Sequence, residues 1–203
     1  TVDNFGLISS SIMSKKLAAG SDAIVLDVKV GDGAFMENIE DATKLANMMV
    51  EIGNSAGRRT VAAITEMGQP LGCAVGNSIE VIEAIETLKC NGPKDITELA
   101  LKLSGIMVYL GGKADSPEAG MKMTKKAMED GSGLAKLGEF IKAQGGNPDV
   151  INDYSLFPQY SITAELKATT DGYVQGIEAR KIGLASQQTG AGRATKEDDI
   201  DLS

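Results

Sequence analysis

A short, uninterrupted apolar run at residues 23–26 is the first element that the hydrophobic pattern predicts. A run without polar alternation is typical of a strand that is covered on both faces of a parallel sheet. Residues 4–19 precede it with the pattern of a helix, and Gly20 is placed to end that helix. Residues 31–34 follow it without bulky side chains, as a loop requires where backbone comes close to a ligand. The predicted strand therefore leads from a helix into a candidate binding loop.

The next part of the chain repeats this arrangement. Apolar residues recur at helical spacing after Asn38 or Asp41, and the β-branched run 60–65 follows as a second parallel strand. Residues 66–76 form a second loop, with several glycines and one proline, before an amphipathic helix starts at Asn77. The pattern predicts a βαβ unit, and ligands of open α/β sheets bind at the carboxyl ends of such strands.

The remaining sequence changes character near Pro158. Residues 97–145 have the apolar periodicity of packed helices, whereas the alternation within residues 160–177 indicates antiparallel strands. The pattern as a whole predicts an α/β fold with a largely parallel sheet and flanking helices, followed by a β-rich module.

Composition excludes several classes of protein. A net charge of −8 argues against a nucleic-acid surface, and the absence of histidine excludes Ser-His-Asp catalysis and histidine-ligated zinc within this chain. Cys73 and Cys90 have neither CxxC spacing nor a secretory context, which favours two reduced, buried thiols. No apolar run is long enough to cross a bilayer and no signal peptide opens the chain, so we expect a cytoplasmic protein that binds no membrane.

The first candidate for chemistry is a serine and a lysine in the N-terminal helix. Ser11 and Lys15 are four residues apart, so a hydroxyl and an ammonium lie on one helix face, one turn from each other. Such a pair also occurs on ordinary solvated helix faces. Spacing alone leaves both interpretations open.

Three longer stretches of sequence distinguish the binding pair from an ordinary helix face. Residues 10–36 (SSIMSKKLAAGSDAIVLDVKVGDGAFM), 69–88 (QPLGCAVGNSIEVIEAIETL) and 190–202 (GAGRATKEDDIDL) closely resemble the pyrimidine-nucleoside phosphorylases and thymidine phosphorylases. In that family the serine and lysine of S-I-M-S-K contact the pyrimidine ring. The resemblance therefore implies that Ser11 and Lys15 bind substrate, and it assigns no catalytic residue to this chain. An ammonium next to a departing base would stabilise its developing negative charge.

The resemblance also implies the domain organisation. Residues 1–20 would be a helix of a mostly helical domain that forms a homodimer, and residues 21–158 the central α/β domain. Residues 159–203 would begin a C-terminal β-rich module that is truncated here. Family members carry a histidine and a phosphate-binding cradle in an N-terminal portion that this sequence lacks.

A potassium site is a further implication of the family. Many members bind K⁺ through carbonyls of the P-L-G-x-A string and a later glutamate, which here are Leu71, Ala74 and Glu83. An oxygen-only set suits a hard, weakly bound cation. Without the family, Glu83 reads as an ordinary solvated helix residue. No organic cofactor is expected.

The implied reaction is the reversible phosphorolysis of pyrimidine (deoxy)ribonucleosides to free base and (deoxy)ribose 1-phosphate, catalysed by a pentosyltransferase. Its partners would be nucleoside and phosphate. Two alternatives stay open. The chain could be an inactive fragment or assembly module without the phosphate-binding half. It could also be an anthranilate phosphoribosyltransferase-like enzyme, although the SSIMSKK and QPLG strings do not fit that family.

Overall fold

The computed structural model describes residues 4–203, and the α/β class is confirmed. The helices are α1 (Phe5–Ala18), α2 (Ile39–Ser55), α3 (Ser78–Leu88), α4 (Lys94–Leu110), α5 (Pro117–Glu129), α6 (Ser132–Ala143) and α7 (Ala179–Ser186). The strands are β1 (Ala23–Val30) and β2 (Arg59–Glu66). Short 3₁₀ helices span Pro148–Ile151 and Tyr154–Leu156, and a π-helical turn spans Gln187–Ala191.

The chain divides into two compact units. The first comprises Thr1–Gly68 and Glu98–Lys126, and the second comprises Gln69–Thr97 and Ala127–Ser203. The first boundary between them lies within the loop after β2.

The core of the first unit is the predicted βαβ unit. β1 and β2 pair in parallel, with Ala23 opposite Arg59 and Val30 opposite Glu66. One face of this sheet packs against α2, and α1 packs on α2 as well. The buried side chains of this core are Ile8, Met13, Ile24, Leu26, Val28, Met36, Ala42, Leu45, Ala46 and Met49. Alternate residues of β1 are buried, so the second sheet face is more open than the continuous apolar run predicted.

The ends of the helices agree with their sequence signals. Asn4 caps α1 by accepting from the Leu7 amide at 3.1 Å, and Asn38 caps α2 by accepting from the Asp41 amide at 2.9 Å. Gly20 follows α1 with φ +76°, as expected of the residue that ends a helix.

In the second unit α3 packs against α6, and a polar cluster ties α3 to the second 3₁₀ helix. Lys89 Nζ lies 2.8 Å from the Tyr154 hydroxyl, which also donates to the Glu86 carboxylate. Burial raises the pKa of Tyr154, and its hydroxyl lowers the pKa of Glu86. The three groups satisfy one another, so the cluster joins two elements and leaves no reactive group.

Two expectations need correction. No strand forms within residues 158–178, because this extended stretch has no partner strand in the described chain and its side chains, such as Leu166 and Tyr173, are fully exposed. The expected β-rich character of residues 159–203 is therefore not seen; α7 and the π-helical turn form there instead. Cys73 and Cys90 are free thiols but exposed, since both lie at turns and not on apolar faces.

No helix among residues 4–203 is long and apolar enough to traverse a lipid bilayer.

Candidate functional site

The structure brings Ser11 and Lys15 together on α1. Lys15 Nζ donates to Ser11 Oγ at 3.2 Å, and both side chains are exposed. Lys15 lies in the last turn of the helix, where the free carbonyl groups favour a cation. The pair therefore presents an ammonium and a hydroxyl side by side to solvent, a combination that can donate to and accept from a polar ring edge. Their contact with a pyrimidine stays a prediction.

A second polar group lies at the carboxyl edge of the two strands. Lys29 Nζ is 2.8 Å from Asp27 Oδ2, and the Thr65 hydroxyl donates to Asp27 Oδ1 at 2.5 Å. Lys29 lies opposite Thr65 in the sheet register, so all three side chains share one face. The alternation of Asp27 and Lys29 with apolar residues was the available sequence signal, but Thr65 joins them only through the strand register.

Backbone hydrogen bonds tie together the loops that follow β1 and β2. The Met67 amide donates to Val30 O at 2.7 Å, and the Gly33 amide donates to Met67 O at 2.9 Å. Gly31 has φ +129°, and a Cβ there would lie 2.5 Å from the Gly68 nitrogen. Only glycine permits this approach, so the first loop is shaped by its contact with the second.

In the second unit, Glu83 is bound to the loop of residues 69–76. Its Oε1 accepts from the amides of Cys73, at 2.8 Å, and Ala74, at 3.0 Å. A Cβ at Gly72 would lie 2.1 Å from Glu83 Oε2, so glycine is required for the carboxylate to approach this closely. Glu83 is half-buried and is not the freely solvated helix residue of the alternative interpretation.

A neighbouring carboxylate supports the same loop. The Gly72 amide donates to Asp95 Oδ2 at 2.9 Å, and this bond lowers the pKa of Asp95 below its ordinary value. With the Gly76 amide, which donates to Glu80, the loop donates four backbone hydrogen bonds to three acids. Carboxylates therefore lie against the loop that contains Leu71 and Ala74.

These residues fit a monovalent cation in their chemistry. In the part of the chain that the structure describes, the carbonyl oxygens of Leu71 and Ala74 accept no hydrogen bond, and the Glu83 carboxylate, on α3, accepts from amides of the same loop. Across residues 4–203 no three acidic, histidine or cysteine side chains gather as a metal cluster. A cation here would depend on backbone oxygens and one carboxylate, the ligands of a hard, weakly held ion.

Comparison with known proteins places these elements in a family. The family described as "Glycosyl transferase family, a/b domain" matches residues 1–134, which include α1, both strands and the loop of residues 69–76. The chain belongs to this glycosyl transferase family. The "Pyrimidine nucleoside phosphorylase C-terminal domain" matches residues 173–203. The two matches confirm the resemblance seen in the three sequence strings.

The chain is 55% identical over 202 residues to the pyrimidine-nucleoside phosphorylase of Geobacillus stearothermophilus. It is 54% identical to those of Staphylococcus aureus strains RF122 and USA300. Each alignment covers 100% of this chain and 47% of the relative, so the chain spans about half the length of the curated relatives it matches.

Proposed function

We propose that this chain is part of a pyrimidine-nucleoside phosphorylase that catalyses reversible phosphorolysis of pyrimidine (deoxy)ribonucleosides. The observation that carries the proposal is the Lys15–Ser11 pair, 3.2 Å apart at the exposed end of α1, in a chain of this glycosyl transferase family. Similarity to the pyrimidine-nucleoside phosphorylases along the whole chain supports the choice of substrate.

The reaction exchanges one bond at the sugar for another. A phosphate oxygen attacks C1′, the bond between C1′ and the base nitrogen breaks, and its electron pair leaves with the base. The base then carries negative charge that its ring oxygens share. The Lys15 ammonium donates to this developing charge, and Ser11 orients the ring through its hydroxyl.

The test is phosphorolysis of uridine and thymidine by the intact enzyme, meaning the longer polypeptide that we propose carries this chain. Lys15→Ala should lower kcat/KM by about 100-fold or more, because a charge-assisted contact that strengthens as the base departs is lost. Ser11→Ala should have a smaller effect.

Lys16→Ala is the matched control. Lys16 is the other basic residue in the last turn of α1, but it is one position off the face shared by Ser11 and Lys15. Its kcat/KM should stay within about twofold of wild type, because no substrate contact is lost. Equal losses in the Lys15 and Lys16 variants would refute a specific role for Lys15.

We further propose that the intact enzyme binds K⁺ through Leu71 O, Ala74 O and the Glu83 carboxylate. The ion would fix the loop of residues 69–76 by neutralising the charge gathered there. K⁺ should raise the Tm of the intact enzyme relative to a bulky organic cation at equal ionic strength, and Glu83→Gln should reduce that K⁺-specific rise.

Glu80→Gln is the control for the ion. Glu80 lies on the same helix and accepts from the Gly76 amide at 3.0 Å, a bond that glutamine can also accept. Its K⁺-specific shift should equal that of wild type. Equal shifts in wild type and Glu83→Gln would remove Glu83 from the site, and no shift in wild type would contradict the site as a whole.

We propose a cytoplasmic homodimer for the assembled enzyme. Leu7 on α1 is 55% exposed and Phe35, after β1, is 81% exposed, which leaves apolar surface on the first unit. Sedimentation of the intact enzyme tests the oligomeric state. The alternative, an inactive fragment or assembly module, is tested by assaying the 203-residue chain alone and together with the remaining portion of the enzyme.

A further inference from the structure

Asn77 occupies the position that caps α3, but its side chain makes no capping hydrogen bond. Its Nδ2 instead donates to Asp201 O at 2.7 Å and to Ala191 O at 3.0 Å. Two carbonyl oxygens require a donor between them, so the amide nitrogen and not the amide oxygen faces this way. Asparagine normally serves as a cap through its oxygen; here the side chain is used to bind a segment more than a hundred residues away.

That segment, residues 190–202, is folded back on itself at the start of α3. The Asp201 amide donates to Gly190 O at 2.9 Å. The Ser78 amide donates to Leu202 O at 3.2 Å, and the Ser78 hydroxyl donates to the same oxygen. Ser78 is buried, and Asn77 is half-buried. Both ends of the segment are therefore bound by two consecutive residues at the start of α3, with Asn77 bridging them.

The loop of residues 69–76 directly precedes Asn77 and receives a further contact from the C-terminal part of the chain. The Ser186 hydroxyl, at the end of α7, donates to Val75 O at 3.1 Å. The rest of the loop is bound by the carboxylates of Glu80, Glu83 and Asp95 through backbone amides. The loop thus contacts three acids through its amides, and Val75 near its end also contacts the C-terminal part of the chain.

We propose that Asn77 is a positioning residue that holds residues 190–202 against the start of α3 and thereby fixes the loop of residues 69–76. The bridge joins the two carbonyls of a folded-back segment, so losing it frees both ends at once. The loop directly precedes Asn77. It therefore loosens when Asn77 and residues 190–202 are no longer bound to each other. The consequence for cation binding rests on the proposed K⁺ site; the consequence for loop dynamics does not.

Two substitutions at Asn77 separate this role from simple capping. Asn77→Asp keeps the size and is a preferred helix cap, but it removes both donors and sets a carboxylate against two carbonyls. Asn77→Ser is also a good cap and retains one donor. If Asn77 only capped α3, both variants would have the same hydrogen-exchange protection in residues 69–76 as wild type. We expect Asn77→Asp to lower hydrogen-exchange protection of the amides in residues 69–76 by about tenfold or more, and Asn77→Ser to lower it less.

Asn147→Asp is the matched control in the same unit. Asn147 uses its side-chain oxygen to accept from the Asp149 amide at 3.0 Å, as a cap normally does, so the same substitution keeps that bond. Protection of residues 69–76 should be unchanged in this variant. Unchanged protection in Asn77→Asp as well would overturn the proposal.

A variant that leaves Asn77 intact keeps the test decisive if Asn77→Asp fails to fold. A Cβ at Gly190 would press against Asp201 Cβ, 3.1 Å away, so Gly190→Ala should disturb the segment from its other side and loosen the same loop amides. The double variant should be no worse than the stronger single variant, since both break one connection. Additive losses, or loosening confined to residues 190–202, would refute the coupling.

The K⁺ concentration that gives half of the Tm rise is measured in the same variants of the intact enzyme. We expect Asn77→Asp to raise it several-fold, because a looser loop must be ordered when the ion binds. Loosened amides with an unchanged K⁺ response would overturn the link to the ion but leave the positioning role. Absence of any K⁺ response in wild type would overturn the proposed cation site, and the exchange experiment would still decide the role of Asn77.

Discussion

Gly31→Ala is the sharpest test of how the loops after β1 and β2 are built. At φ +129° the backbone of Gly31 lies in a region that residues with a Cβ rarely adopt. The added Cβ would also lie 2.5 Å from the Gly68 nitrogen and 2.8 Å from the Met67 carbonyl carbon. Both neighbours are backbone atoms, so no side-chain rotation can relieve the contact.

The expected cost follows from these two effects. Backbone strain at such a position is about 1–3 kcal/mol. To reach an ordinary contact of 3.4 Å the second loop must retreat by about 1 Å, which stretches the hydrogen bonds that join Met67 to Val30 and Gly33. Losing one of them costs about 1 kcal/mol. We therefore expect Gly31→Ala to lower the free energy of unfolding by about 2–4 kcal/mol.

Urea unfolding of the purified protein measures this change, and hydrogen exchange at Met67 and Gly33 locates it. Gly20→Ala is the control, because Gly20 also has positive φ but a Cβ added there would meet no atom within 4 Å. That variant should lose about 1 kcal/mol from the left-handed conformation alone. Equal losses in the two variants would show that the contact between the loops contributes nothing.

Two further predictions concern α3 and the loop before it. Cys90 has φ +67° just after α3, so Cys90→Gly should raise the free energy of unfolding by about 1 kcal/mol in urea titrations, whereas Cys90→Ala should not raise it. The Gly72 amide lowers the pKa of Asp95 in the folded protein. The stability that ionised Asp95 adds to the folded protein is thus fully present above the ordinary aspartate pKa. It is lost as pH falls through the lowered pKa of the folded state. Unfolding midpoints of Asp95→Asn should therefore fall less steeply than those of wild type in acid, and parallel curves would contradict this assignment.

Much of the first unit could be predicted from short stretches of sequence. The apolar run of β1, the helical spacing of α2 and the β-branched run of β2 define a βαβ unit, and the structure has that unit in parallel register. Ser11 and Lys15 meet because four residues make about one helical turn, a relation fixed within α1. In the second unit, the contact of Glu83 with the loop about ten residues before it is also local, but its role was implied by the family resemblance and not by the spacing.

Other features depend on partners that a local pattern does not contain. Alternating side chains in residues 160–177 predicted strands, but a strand forms only where another strand pairs with its backbone groups, and the described chain supplies none there. The position of Thr65 against Asp27 required the register of β1 and β2. The exposure of Cys90 follows from a left-handed turn, a conformation that cysteine does not signal.

The difference between local and distant contacts bears on how mutational data from this protein are interpreted. The candidate base-binding pair is assembled within one helix, so it can keep its local geometry when the rest of the fold loosens. The candidate cation loop also depends on contacts from residues that are distant in sequence. Two contacts that shape loops are distant in sequence: Gly31 meets the loop after β2, and Asn77 meets residues 191 and 201. A substitution at Lys15 should therefore change binding and leave hydrogen exchange of its surroundings nearly intact. A substitution at Gly31 or Asn77 should change hydrogen exchange first, and any loss of activity should follow from it.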